Sequence, residues 1–118
     1  MLVIRKEQWD SMEGSLHLSF EERAMAELRS TYPKRLQNVE DEELREDVRV
    51  GRSRAQEFGI TDDGFVMQFL EFIVEYGRGF AETEETTWAR EILENEYYDE
   101  EEKLSRLSRH RILDIFGN

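Results

Sequence analysis

Cysteine is absent from this sequence, and proline occurs once, at Pro33. Without cysteine there is neither a disulfide framework nor a thiolate zinc site, and either redox compartment is open to the chain. Histidine is almost as scarce. His17 and His110 are the only two; neither has a second histidine at metal-ligand spacing, and no HExxH motif occurs. Basic residues are outnumbered, 16 Lys and Arg against 28 Asp and Glu, for a formal net charge of −12. That balance repels nucleic-acid phosphates and anionic membranes, which leaves a basic protein surface as the expected partner. No uncharged apolar run is long enough to span a bilayer. The start, "MLVIRKEQWD", has no apolar segment of signal-peptide length. A cytoplasmic location is the expectation.

What is present argues for a folded helical domain. A chain of 118 residues fits one domain, residues 1–118, with a core of modest size. Hydrophobic residues at 38% and aromatics at 11% are enough to oppose disorder despite the charge. Leu2, Val3 and Ile4 form a short apolar entry, and a helical pattern begins near Glu7 with Trp9 and Met12, to be bent or broken at Gly14 and Ser15. Ser19 with Glu22 three residues on makes a capping box. Phe20, Ala24, Leu28 and Tyr32 then recur at helical spacing, and Pro33 forces the residue before it out of the helical region.

The next helix runs through "DEELREDVRVGRSRAQEFG". Asp41 is the expected cap, and acids precede arginines as the helix dipole prefers. Leu44, Val48, Ala55 and Phe58 mark its buried stripe. Gly51 falls on that stripe at a propensity cost of about 1 kcal/mol, which predicts a close helix crossing. Gly59 stands where a left-handed residue ends the helix.

"GITDDGFVMQFLEF", residues 59–72, resembles the second half of a calcium loop. With Gly64 at the sixth position, the bidentate glutamate belongs at Leu70, and Glu71 misses by one residue. One residue is about 100° of helical rotation, so the register excludes that ligand. The alternative accounts for more. Thr61 caps a helix, Asp62 and Asp63 favour its positive end, and the apolar set from Phe65 to Tyr76 covers most of its circumference. Such a helix is central, with Phe69 and Ile73 deeply buried. Part of its surface is also open to docking a partner. Gly77 and Gly79 then turn the chain and Phe80 anchors the turn. Thr86 or Thr87 caps a helix carrying Trp88, Ile92 and Leu93. The last helix has Asp99 to Glu102 at its start and Lys103, Arg106, Arg109 and Arg111 beyond, with a buried stripe of Leu104, Leu107 or Ser108, Ile112 and Ile115. The expected fold is therefore all-α, a compact bundle of about five to six helices around a central apolar helix at about 62–76.

Chemistry is sparse. No nucleophile elbow, dinucleotide fingerprint or phosphate loop occurs, and in so acidic a chain pairs of carboxylates carry no specificity. Catalytic residues, cofactor and metal are each expected to be absent, and His110 is expected to be exposed or hydrogen-bonded. The functional candidate is the acidic run from Glu82 to Glu102, which has Arg90 as its one cation before Lys103. Within it Glu91, Glu94, Glu100, Glu101 and Glu102 would steer a basic partner, and Tyr97 and Tyr98 would anchor the contact. The other reading of the same run is a set of solvated helix faces.

One resemblance rests on the order of several short motifs: Tyr32-Pro33, an acidic-led helix, "FGI" at 58–60, the central helix with Phe69, "YGRGF" at 76–80 and "WAREIL" at 88–93. This order resembles small helical proteins encoded beside spike, tip and toxin genes of bacterial contractile secretion systems, type VI above all. It covers roughly residues 20–95. Where the family pattern has an aspartate after the glycine-phenylalanine pair, this chain has Ala81. The resemblance implies a genomic setting more than an activity, and it carries over no functional residue. It implies a chaperone or adaptor that holds a secreted effector or spike component, or else an immunity protein that blocks a toxin. A small enzyme or metal-dependent regulator is the alternative of another class.

Overall fold

The computed structural model describes residues 19–116, with side chains through Ile112. The entry at Leu2–Ile4, the helix near Glu7 with Trp9 and Met12, the break at Gly14, His17 and the side chain of Ile115 lie outside the described residues. Among the described residues five α-helices follow one another: α1 (Phe20–Thr31), α2 (Asp41–Glu57), α3 (Asp63–Tyr76), α4 (Thr87–Leu93) and α5 (Glu100–Phe116), with a 3₁₀ turn at Glu84–Thr86 leading into α4. There is no strand among the described residues. Each of α1, α2 and α5 packs against α3, α1 also packs on α2, and α4 packs on α5. The expected all-α bundle around a central helix is what the chain forms.

Local chemistry sets the ends. Ser19 Oγ accepts from Glu22 N–H at 3.1 Å and caps α1, and Tyr32, before Pro33, closes it. The loop from 32 to 40 is held by Arg29, whose guanidinium donates to the carbonyls of Leu36 at 2.9 Å and Val39 at 2.7 Å. At the end of α2, Ile60 N–H donates to Ala55 O at 2.9 Å and Gly59 N–H to Gln56 O at 3.0 Å. These are the paired bonds of a Schellman ending. Gly59 supplies the left-handed residue it needs, with φ of 80°.

Two caps sit one residue from their expected places. Glu40, not Asp41, occupies the cap position of α2 and makes no side-chain cap bond; Asp41 is drawn off to Arg29 at 2.8 Å. Asp62, not Thr61, caps α3 through its Oδ1, which accepts from Gly64 N–H at 3.1 Å. Thr86 does begin the α4 region, but its hydroxyl works backwards, accepting from Ala81 N–H at 2.8 Å. Ala81 has φ of 65°, a conformation alanine avoids, and that buried bond helps hold it there.

The core forms around α3. Phe69 and Phe72 are buried, as are Leu28 of α1, Val48 of α2 and Leu104 and Leu107 of α5. Burying each such side chain contributes about 1.5–3 kcal/mol. Phe80 anchors the turn after α3. Its ring stacks on Phe72 and on Tyr76, both at 5.4 Å, and meets Phe69 edge-on at 5.9 Å. Gly51 marks the close crossing of α2 over α3: a Cβ there would lie 2.4 Å from Leu70 Cδ2 and 3.0 Å from Ile73 Cδ1.

On α5 the expected stripe departs after Leu107. Ile112 is 55% exposed. The inward place one turn on from Leu107 belongs to Arg111, whose guanidinium lies 4.7 Å from the Phe72 ring centre and pairs with Glu75 at 2.8 Å. Ile112 is the next residue, about 100° further around the helix, and turns outward. His110 is half-buried and stacks flat on Trp88, with ring centres 3.9 Å apart, and its Nδ1 has no hydrogen-bond partner. It is therefore neither exposed nor hydrogen-bonded at that nitrogen.

Candidate functional site

The turn between α4 and α5 carries the candidate residues. Asn95 builds it: its side-chain Oδ1 accepts from Tyr97 N–H at 2.9 Å and its carbonyl from Tyr98 N–H at 3.3 Å. An asparagine that bonds its own backbone two residues on makes a tight local turn. Tyr97 stands at its tip, 96% exposed. Glu91, Glu96 and Glu101, close to it in the chain, are also exposed.

The remaining candidates are engaged within the fold. Glu94 pairs with Arg90 at 3.3 Å and Glu102 with Arg106 at 2.9 Å. The Arg106 guanidinium lies 4.2 Å from the ring centre of Tyr98, a cation–π contact that holds this ring half-buried. Glu100 does more. One of its carboxylate oxygens accepts from the N–H groups of Thr61 and Asp62, both at 3.0 Å. It thus serves the positive end of α3 from another helix. One turn along, Lys103 Nζ donates to the carbonyl of Phe58 at 2.6 Å, where α2 ends. The first turn of α5 therefore clamps the α2–α3 corner, an acid on its amides and an amine on its carbonyl. Tyr97 and the acids nearest it in the chain are exposed, while Glu100 and Tyr98 face inward contacts.

Two further features were not legible as sites. A cleft of about 380 Å³ opens between α2, α3 and the loop after α1, floored by Leu36, Val39, Leu44 and Val74. Its rim is internally satisfied: Arg78 pairs with Glu43 at 2.6 Å and Asp47 at 2.9 Å, and Arg35 donates to the carbonyl of Glu75 at 3.1 Å. The other is a buried acid. Glu71, in the middle of α3, is 3% exposed, and its Oε1 has no hydrogen-bond partner. Its signal lay in the run Phe69-Leu70-Glu71-Phe72-Ile73, since a helix apolar on most sides leaves a charged residue no wet face. Asp63, another acid of the calcium-like stretch, lies between Arg23 at 3.5 Å and Arg52 at 3.6 Å. Among the described residues, no group of three His, Cys, Asp or Glu is arranged to hold a metal ion.

No family model, curated protein or solved structure matches this chain. The functional reading therefore rests on the geometry and on the resemblance of the short motifs. No helix among the described residues is long and apolar enough to cross a membrane.

Proposed function

We propose that this protein is a non-catalytic protein-binding module, a cytoplasmic adaptor or chaperone that holds a secreted effector or spike component of a bacterial contractile secretion system through a basic surface. What carries the reading is Tyr97, a large aromatic side chain 96% exposed on a turn built by Asn95, with exposed acids at Glu91, Glu96 and Glu101 close to it in the chain. Aromatic side chains are frequent anchors of interfaces, and acids around them speed encounter with a cationic partner. The secretion setting comes from the motif resemblance alone.

The test is capture of partners from the products of neighbouring genes, followed by association kinetics with whichever binds. Tyr97→Ala should raise the dissociation rate about tenfold or more, as loss of an anchor does. Glu91→Lys with Glu101→Lys should slow association and flatten its dependence on salt. These two acids are chosen because neither has an internal ion pair among the described residues, so the fold is spared. If both variants bind like the parent, the turn is a solvated face. If the captured protein is a toxin whose activity stops on binding, the adaptor reading gives way to immunity.

A further inference from the structure

Three carboxyl groups come together where α1, α3 and α5 meet. Around Glu71 stand Glu27 from α1, Tyr32 at the end of α1, Glu75 one turn along α3 and Arg111 from α5. The donors serve Glu75 on both sides. Tyr32 Oη donates to its Oε1 at 3.0 Å and Arg111 Nη1 to its Oε2 at 2.8 Å. Glu71 is the more deeply buried of the two acids, and it has an oxygen without a partner. A buried carboxylate with an unpaired oxygen and like-charged neighbours is costly, whereas the neutral acid is tolerated far better.

We propose that Glu71 is the proton-binding element of a switch: protonated, it lets α1, α3 and α5 close on one another; ionised, it forces their junction to admit water. The electrostatics agree in direction. Burial, helped by Glu75 and Glu27 and opposed by Arg111 and the Tyr32 hydroxyl, pushes Glu71 up to about 7 from its ordinary 4.5. Glu27 is itself raised by burial. The sign follows. The folded chain binds this proton more tightly than the unfolded chain does, so stability falls as pH rises wherever the unfolded state binds fewer protons. The contribution is complete below the ordinary value of 4.5 and is lost as pH climbs through about 7.

The experiment is urea unfolding of the full chain and of Glu71→Gln, which keeps the shape and cannot titrate, at about pH 5 and about pH 8. Relative to Glu71→Gln, the folding equilibrium constant of the parent should drop by on the order of tenfold or more between these two pH values. Parallel pH dependences in the two proteins would overturn the proposal. Carboxyl-carbon NMR titration of the parent gives a second reading that needs no variant. A Glu71 resonance that moves near neutral pH supports the switch, and one that moves in the ordinary glutamate range sinks it.

Discussion

Phe69 is fully buried and stands edge-on to Phe80 at 5.9 Å and tilted to Phe58 at 6.4 Å. Its removal leaves a void bounded by rings that cannot collapse into it. Phe69→Ala should therefore destabilise the fold by about 3–5 kcal/mol; chemical denaturation measures this, and a loss under about 1 kcal/mol would show that the site repacks. Phe69 was legible because its neighbours Val66, Leu70 and Ile73 repeat at helical spacing. Arg23 was not. It is buried to 1% beside Phe20 and pairs with Asp63 from another helix. Nothing local distinguishes an arginine that reaches an acid 40 residues on from one that faces water. Gly51 lies between these cases: its place on an apolar stripe announced a crossing, but not which helix crosses.

At the scale of elements, caps were legible where the side chain acts on its own helix and obscured where another element competes for it. Ser19 belongs to the first kind. Asp41 belongs to the second, since Arg29 takes its carboxylate. Glu100 is the extreme case, because it caps a helix 38 residues earlier in the chain. Glu100→Ala should cost about 1.5–3 kcal/mol, the usual worth of hydrogen bonds to a charged group. Thermal or urea unfolding reads this, and hydrogen exchange should show the amides of Thr61 and Asp62 losing protection. If the variant matches the parent in both, the cap carries no stability. The displacement of Ile112 has the same kind of origin. Period alone assigns it to the stripe, and Glu75 on a neighbouring helix decides for Arg111.

The described residues span 38 × 31 × 24 Å, and the chain carries a net charge of −12. Many arginines are already paired, so the surplus acids repel one another across a small surface. Added salt should therefore raise the melting temperature by a few degrees between about 0.01 M and about 0.5 M sodium chloride, as screening shortens from about 30 Å to a few Å. A fall would mean that the ion pairs outweigh the repulsion. Fold class was legible at this scale because every apolar stretch keeps helical period and turn residues separate the stretches. The pairing of helices was not, since stripes on α1, α2 and α5 are interchangeable as far as hydrophobicity goes. Nor was the division within the candidate surface, whose acids share one composition while some are solvated and Glu100 is structural.

The clamp made by Glu100 and Lys103 has a directional consequence. Its targets are main-chain groups fixed by the polarity of two helices, amides at the start of α3 and a carbonyl at the end of α2. A slide of α5 by one turn, about 5.4 Å, would carry the ammonium towards those amides or draw the carboxylate towards that carbonyl. The pair thus works as a key that admits α5 in one register and one orientation. An ordinary ion pair survives exchange of its two members, but this one has no such symmetry. Glu100→Lys combined with Lys103→Glu should be at least as unstable as either single change, and recovery of stability in the double variant would show that the two side chains answer to each other rather than to the backbone.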